Sequence, residues 1–425
     1  MKKVLIITCR FMPEELVASA RLRALAKYLP EFGWEPVFLT PMLPGQPDKR
    51  FRVIQTKHPG NRMKWLKQKL GLNPNKRIQE HIGLPAKVRE RKDSLSNKVE
   101  RFIKSIVLFP SKRMGWCPSA IKAGTELLGG EKFDAIISSF SPVSAHLIGK
   151  ELKSRFGIPW IADFQDLWTQ NHYYRYRAVR RWFERKLEVK TLSSADALVT
   201  VSKPWTEKIV RLHKGKEAFT ITNGFDPDEV IISSLSKRFT ISYTGKVYEG
   251  FQDPSLLFGA IRELIEEKKI IPEEVEVCLY DSKRYWLERM TKEYGLEGLV
   301  HQRGMISRVE VLSKQRESQV LLLLDWNEPN ERGVYPAKVF EYLAARRPIL
   351  ATGGGAGVIK DLMEQTGAGI HASDAESVKE AVLSFYNEYK TNGEVGYKGS
   401  EEEINKYSQR EMARKFSEVL NSIAE

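Results

Sequence analysis

The chain has 425 residues, and its formal net charge is +14. This length exceeds the ~100–200 residues of a common domain, so the sequence predicts two domains. The excess of positive charge favours a polyanionic partner, such as nucleic acid, anionic lipid or a phosphorylated substrate. The three cysteines, Cys9, Cys117 and Cys278, lie far apart and lack the spacing of a zinc site or a disulfide framework, which indicates a reducing compartment.

The first apolar run, at residues 4–8, is too short for a secretory signal segment and is followed by Arg10. No later run approaches the ~18 apolar residues of a membrane-spanning helix. We therefore expect a cytoplasmic protein that is neither secreted nor membrane-spanning.

Short apolar runs alternate with amphipathic stretches in the first half of the chain. A helix is predicted at 19–29, where leucines recur at helical spacing, and strands are predicted at 4–8, 36–40, 135–139, 160–163 and 197–201. Alternation of this kind is typical of a parallel sheet covered by helices on both faces.

The alternation breaks at 222–228, where Asn-Gly and Asp-Pro pairs predict turns, and then restarts. In the second half, strands are predicted at 239–243, 274–280, 320–324 and 347–351, and helices at 254–267, 336–345 and 358–364. We expect a first α/β domain at 1–228 and a second at 229–406. A last amphipathic helix at 407–425 either caps the second domain or crosses back to the first.

The positive charge is concentrated in one segment. Residues 57–116 contain 16 Lys/Arg and 4 Asp/Glu, which accounts for +12 of the net charge. Residues 62–70 place Trp65 and leucines among lysines, a pattern typical of helices on anionic lipid, where each cation contributes ~1 kcal/mol. Residues 97–109 fit a core helix equally well. Because no motif of a nucleic-acid-binding module accompanies the charge, we expect an anionic membrane surface and no nucleic acid.

Candidate site residues of the second half follow predicted strands, where open α/β sheets bind ligands. Gly245 permits close approach of the backbone to a ligand, and Lys246 can meet a phosphate as a point charge. Ala337–Val339 follow a proline at the start of a predicted helix, whose N–H groups form an anion site. Lys338 adds charge there, and Glu341 lies one turn further on.

Two other segments carry alternatives. The glycine-rich run at 353–357 is either a flexible turn or a loop that lies against a bound donor. In the first half, Asp163 and Asp166 directly follow a predicted strand. Paired carboxylates serve acid–base chemistry or bind hydroxyls, whereas a single aspartate there is often a helix N-cap.

The chain resembles glycosyltransferase family 4 through segments that occur in the family's order: SARLRALAKYL, FDAIISSFSP, IPWIADFQDLW, SSADALVTVSKPWTEKI, TNGFDP, ISYTGKVYEG and PAKVFEYLAARRPILATGGGAG. The resemblance implies an α/β protein of GT-B fold, with two Rossmann-like doubly wound domains facing a central cleft. It also implies a retaining hexosyl- or N-acetylhexosaminyl-transferase that uses a nucleotide sugar, with no bound metal or other cofactor.

The resemblance also implies roles for particular residues. Lys246 and Lys338 would stabilise the departing diphosphate as catalytic residues, beside Gly245 and the N–H groups of Ala337 and Val339. The ribose would lie near Glu341, and the base near Arg303, Gly304 and Met305. Asp166 would be the third catalytic residue, and the acceptor side would include Ser139 and Ser141. Trp65 is also expected on the acceptor side, because the basic segment falls where the first domain would face the acceptor.

The sequence departs from the family at one motif. Many members carry two glutamates separated by seven residues, and counting back from Glu341 gives Gly333, with Glu331 two residues away. A second basic residue expected at 249–252 is also missing.

Three functions therefore stay open. The first is transfer from a UDP- or GDP-sugar to a lipid-linked or membrane-proximal glycan acceptor at the inner face of the cell membrane, in surface-polysaccharide or lipopolysaccharide assembly. The others are nucleotide-sugar 2-epimerisation and a catalytically silent scaffold that binds nucleotide sugar.

Overall fold

The computed structural model describes residues 1–11, 17–43, 45, 48–57, 113–171, 174, 178–229, 231–326, 328 and 331–425, with only the backbone given for 17 and 18. Two compact units divide the chain, one of Met1–Ile221 with Ala413–Glu425 and one of Thr222–Met412. Trp65 and nearly all of the basic segment predicted at 57–116 lie outside the described residues.

The first unit contains a seven-stranded parallel sheet in the order β3-β2-β1-β4-β5-β6-β7. Its strands are β1 (Lys2–Ile7), β2 (Trp34–Pro41), β3 (Arg52–Thr56), β4 (Ala135–Phe140), β5 (Trp160–Phe164), β6 (Ala197–Thr200) and β7 (Glu217–Thr220). Its helices include α1 (Val17–Tyr28), α2 (Cys117–Gly130), α3 (Ser144–Phe156), α4 (Ala178–Leu192) and α5 (Lys203–Leu212). β4 and β5 are buried throughout, as expected for central strands covered on both faces.

The second unit contains a six-stranded parallel sheet in the order β10-β9-β8-β11-β12-β13. The strands are β8 (Phe239–Thr244), β9 (Val275–Tyr280), β10 (Val300–Gln302), β11 (Val320–Leu324), β12 (Ile349–Thr352) and β13 (Gly369–Ala372). The helices are α6 (Ser255–Glu266), α7 (Tyr285–Glu293), α8 (Arg308–Glu317), α9 (Lys338–Ala345), α10 (Val358–Thr366), α11 (Ala375–Asn392) and α12 (Glu401–Asn405).

Two apolar clusters cover the second sheet. Alternate residues of β11 enter different clusters: Leu322 and Leu324 belong to one, and Leu321 and Leu323 to the other. Because side chains of a strand alternate between the two faces, the clusters lie on opposite sides of the sheet. The unit is therefore the doubly wound α/β structure that the sequence predicts.

Strand order reverses at one point in each sheet. β1 lies between β2 and β4, and β8 lies between β9 and β11. Ligands of open α/β sheets bind beyond the carboxyl ends of the strands at such a point. In the second unit, this rule directs attention to the residues after Thr244 and Leu324.

The last helix, α13 (Gln409–Ala424), contributes its residues from Ala413 onward to the first unit. Phe416 is buried, and the guanidinium of Arg21 lies 4.8 Å from the centroid of its ring. Asn421 accepts hydrogen bonds from the indole of Trp34 at 3.2 Å and the ammonium of Lys2 at 3.4 Å.

Four strands were not predicted from the sequence, and they are the edge strands of the two sheets: β3, β7, β10 and β13. Each has only three to five residues and is partly exposed, so none forms a continuous apolar run. Of the helices that the structure describes, none is both long enough and apolar enough to cross a membrane.

Candidate functional site

Gly245 follows β8 at the point where strand order reverses. Its φ is +109°, a conformation that residues with a side chain rarely adopt, and its amide donates to the carbonyl oxygen of Tyr280 at 2.9 Å. A Cβ placed on Gly245 would lie 3.4 Å from both Cε and Nζ of Lys338. The glycine therefore lets the backbone turn and leaves the end of the lysine side chain packed against it.

Lys338 is the first residue of α9, and its ammonium lies 3.6 Å from the centroid of the Tyr243 ring. Burial lowers the pKa of Lys338 to about 7, against the opposite effect of the Glu341 and Asp281 carboxylates. A helix N-terminus attracts anions because its first N–H groups have no acceptor within the helix. An anion that binds here would favour the charged form of Lys338.

The helix starts two residues later than expected. The amide of Val339 donates to the carbonyl oxygen of Pro336 at 2.9 Å, so this amide is not available to a ligand. The expectation that Val339 binds a diphosphate through its N–H is therefore wrong in this geometry. The amides of Ala337 and Lys338 therefore remain the candidates for binding a diphosphate.

Lys246 is exposed, and its ammonium lies 4.5 Å from the centroid of the Tyr248 ring. The loop behind it is fixed by Gln252, a buried residue for which the sequence predicts no role. The Gln252 amide donates to the carbonyl oxygen of Leu324 at 2.9 Å and accepts from the Tyr243 hydroxyl at 3.2 Å. Gln252 lies where a second basic residue was expected, and it joins this loop to the end of β11.

Glu341 is held on both oxygens. Arg308 donates to Oε1 at 2.8 Å, and Gln315 donates to Oε2 at 3.2 Å. Arg308 also donates to Glu229 at 2.9 Å, which fixes the guanidinium between two carboxylates. A carboxylate has about four lone-pair sites, so Glu341 retains capacity for a ligand hydroxyl.

The segment expected near a base follows β10. The guanidinium of Arg303 pairs with Glu276 on the neighbouring strand. Gly304 has a φ of +83°, and the side chain of Met305 is exposed. The side chain of Arg303 is therefore engaged within the sheet, and contact with a base would fall to the backbone of this turn.

A cavity of about 390 Å³ has Asp325, Glu331, Arg332 and the glycine-rich loop in its wall. Glu331 is buried, and its Oε1 accepts from the amide of Gly333 at 3.0 Å. This bond brings a carboxylate to the backbone of the position where the family motif has its first glutamate.

The glycine-rich loop packs tightly against Asp325. Gly354 has a φ of +62°, and a Cβ there would lie 2.4 Å from the Asp325 carboxylate. Asp325 also lies 3.5 Å from His371 on β13. The loop therefore rests against a carboxylate at the end of β11.

In the first unit, Asp163 is fully buried within a polar network. Arg21 contacts its Oδ1 at 2.9 Å, and the Ser139 hydroxyl donates to its Oδ2 at 2.9 Å. Ser139 is itself buried, which corrects the expectation that it faces an acceptor. Asp166 and Ser141 are partly exposed and keep their candidate roles in this unit. Among the described residues, no three His, Cys, Asp or Glu side chains group as metal ligands would.

Residues 18–224 match the model of a glycosyl transferase 4-like domain. No curated protein sequence matches the chain. Sucrose-phosphate synthase from Thermosynechococcus elongatus is similar in structure, with a TM-score of 0.62, 14% sequence identity and coverage of 99% of both chains. HepE from Anabaena in complex with UDP-glucose has a TM-score of 0.62 and 11% identity, and covers 99% of this chain and 100% of its own.

TarM from S. aureus, in a variant crystallised with Fondaparinux, alpha-GlcNAc-glycerol and UDP, has a TM-score of 0.60 and 11% identity over 99% of this chain and 100% of its own. These similarities support the GT-B fold over the whole chain. The chain therefore contains a glycosyl transferase 4-like domain at residues 18–224 and adopts the GT-B fold over its whole length.

Proposed function

We propose that this protein is a retaining glycosyltransferase that moves a sugar from a UDP- or GDP-sugar to a lipid-linked or membrane-proximal acceptor, in surface-polysaccharide or lipopolysaccharide assembly. The observation that carries the proposal is the cluster beyond β8 and β11, where Lys246, Lys338, Gly245 and the start of α9 meet. The UDP-glucose complex of HepE makes a UDP-sugar the first donor to test.

The cluster provides positive charge where a nucleoside diphosphate would leave. Departure of this group builds negative charge on its outer phosphate, and fixed cations and N–H groups stabilise that charge. Lys338 has a pKa of about 7 without a ligand, so diphosphate binding would draw a proton onto it. Lys246 adds an exposed cation, and the α9 amides add their dipoles. We therefore propose that these groups balance the charge without a metal ion.

The surrounding residues define the rest of the donor. Glu341, oriented by Arg308 and Gln315, would accept from the ribose hydroxyls. The backbone of Arg303–Met305 would contact the base. Glu331 lines the neighbouring cavity and would accept from sugar hydroxyls in place of the missing first glutamate of the family motif.

The acceptor side is assigned to the first unit. Asp166 follows β5 and would bind or deprotonate an acceptor hydroxyl. Ser141 directly follows β4 and would lie on the same acceptor side. The basic segment at 57–116, including Trp65, would hold the protein at the inner face of the cell membrane.

The deciding experiment is a screen of UDP- and GDP-sugars for hydrolysis without acceptor, in the presence of a chelator. Removing one preorganised electrostatic contact costs about 10²–10³ in turnover, so we expect losses of this size for Lys246→Ala and Lys338→Ala. Lys292→Ala removes an exposed lysine of α7 and serves as the matched control. Turnover of Lys246→Ala within a few-fold of wild type would exclude its phosphate-binding role.

The same screen separates the alternatives. Nuclear magnetic resonance of the released sugar should show retained anomeric configuration. An epimerised donor would identify a nucleotide-sugar 2-epimerase instead, whereas donor binding without turnover, tested again with added glycan acceptors, would indicate a silent scaffold.

A further inference from the structure

Helix α4 has the reverse of the polarity expected for a helix on a protein core. Its buried positions include Arg180, Glu184, Glu188 and Thr191. Its exposed positions include Val179, Trp182, Phe183 and Val189, and both aromatic side chains are more than half exposed, at 52% and 54%. A surface helix ordinarily turns its apolar stripe inward. The outward face of α4 therefore requires an explanation.

The inner face is fixed by specific polar contacts. Arg180 donates to Glu184 at 2.7 Å, and the Trp168 indole donates to the same carboxylate at 3.4 Å. Glu188 accepts from the amide of Thr169 at 3.1 Å. Turning the helix over would leave the buried Trp168 indole and Thr169 amide without these acceptors, and an unsatisfied buried donor is costly. The exposure of the aromatic pair thus follows from a rotation that the inner contacts enforce.

The outer face combines apolar side chains with one sign of charge. Trp182 and Phe183 pack edge to face, with ring centroids 4.8 Å apart, and the Lys186 ammonium lies 3.7 Å from the centroid of the Trp182 ring. The exposed charged residues of α4 are Arg181, Arg185, Lys186 and Lys190, whereas both of its acidic residues are buried. We call these four cations and the four exposed apolar residues the α4 patch.

We propose that the α4 patch is a membrane-contact surface, which places Trp182 and Phe183 in the headgroup region of an anionic phospholipid bilayer. Interfacial helices combine Trp, Phe and Val with Lys and Arg in this way, because the rings leave water while the cations meet lipid phosphates. A polyanion without an apolar phase would leave the rings in water. A second copy of the patch would oppose four cations with four more, which disfavours a symmetric dimer.

This inference goes beyond the proposed function, because the α4 patch consists of residues outside the basic segment at 57–116 and does not depend on the sugar donor. It also divides membrane binding into two signals. The α4 patch and the basic segment would each bind the membrane weakly, and together they would give stable attachment, as two lipid anchors do.

The test is flotation of the full chain with vesicles of phosphatidylcholine, with and without phosphatidylglycerol. We expect binding only with the anionic lipid, and at least a tenfold loss of bound fraction for Trp182→Ala/Phe183→Ala. The matched control, Tyr285→Ala/Ile232→Ala, removes exposed apolar side chains of the second unit and should bind as wild type does. Donor hydrolysis without vesicles should be unchanged in both variants, which separates this result from a failure of the proposed function.

Charge supplies the second arm. Arg181→Glu/Arg185→Glu should bind vesicles less than wild type does, and this difference should grow as the salt concentration is lowered. The control Lys122→Glu/Lys132→Glu reverses two exposed lysines of the same unit, so it has the same net charge and should bind far better. Charge reversal at Lys64, Lys67 and Lys69 measures how much the basic segment contributes to vesicle binding.

Position supplies the third arm. In a Trp65→Phe background, vesicles with brominated acyl chains should quench tryptophan fluorescence, and adding Trp182→Phe should remove most of that quenching while the protein still binds. Equal flotation of the aromatic double variant and wild type would overturn the proposal. So would quenching that persists in Trp65→Phe/Trp182→Phe, or sedimentation showing that the aromatic pair instead holds two copies of the chain together.

Discussion

Donor binding should weaken as the pH rises, and Lys338 should be the cause. Its ammonium is held between the Tyr243 ring and the Gly245 backbone, and burial lowers its pKa to about 7. Only the protonated form attracts a diphosphate. Above the pKa of the free protein, each pH unit should therefore reduce affinity about tenfold, until the higher pKa of the complex is reached.

The assay is isothermal titration calorimetry with UDP-glucose and GDP-mannose between about pH 6 and pH 9. The diphosphate of a nucleotide sugar is esterified at both ends, so it has no proton that titrates in this range. Repeating each titration in buffers of different ionisation enthalpy counts the protons taken up. At pH 7 the uptake should be about 0.5 proton per donor bound, because Lys338 is then about half protonated.

Three variants isolate the lysine. Lys338→Arg keeps its charge throughout, so its affinity should not vary with pH. Lys338→Met should bind weakly at every pH, whereas Lys292→Met should keep the slope of wild type. A flat profile for wild type, or a slope that survives in Lys338→Met, would refute the assignment of the proton to Lys338.

The same shift makes a prediction about stability. The pKa of Lys338 is lower in the folded protein than the 10.5 of an unperturbed lysine. Between the two values the unfolded chain binds more protons, so this residue makes stability rise with pH. At neutral pH the buried charge costs up to about 4 kcal/mol, which Tyr243 partly offsets. Lys338→Met should therefore increase the free energy of unfolding by ~1–4 kcal/mol at pH 7, with the gain disappearing near pH 10.

Two further substitutions test other features. Gly245→Ala and Gly393→Ala both place a side chain at positive φ, at a cost of about 1 kcal/mol, but only Gly245 contacts Lys338. Only Gly245→Ala should weaken donor binding in calorimetry, and equal affinities would contradict the packing argument. Arg21→Met leaves Asp163 buried without its cation and should lower the free energy of unfolding by about 3–5 kcal/mol in urea titrations. Adding Asp163→Asn should recover part of that loss, and strict additivity would argue against coupling.

The central strands could be predicted from sequence because burial on both faces leaves a plain signature. Runs such as those of β4 and β11 are apolar or small throughout, since helices cover both sides of the sheet. The edge strands β3, β7, β10 and β13 leave no such signature, because one of their sides meets solvent and their pairing depends on a partner elsewhere in the chain.

The site divides in the same way. Lys246 and Lys338 were selected because each follows a strand or opens a helix, which are local properties. Gln252 and Glu331 were not selected for roles, because their contacts with Leu324 and Gly333 depend on how loops fold back. The orientation of α4 could not be predicted from the sequence either. A periodic pattern identifies two faces of a helix, but the buried partners decide which face turns inward.

The path of α13 gives the order in which the protein can be completed during synthesis. The first unit needs Phe416 against Arg21 and Asn421 beside Trp34, yet these residues leave the ribosome after the whole of Thr222–Met412. While the second unit is synthesised, the surface of the first unit that α13 contacts is therefore still exposed. A chain that stops before Ala413 would keep the candidate donor residues of the second unit but leave that surface of the first unit open.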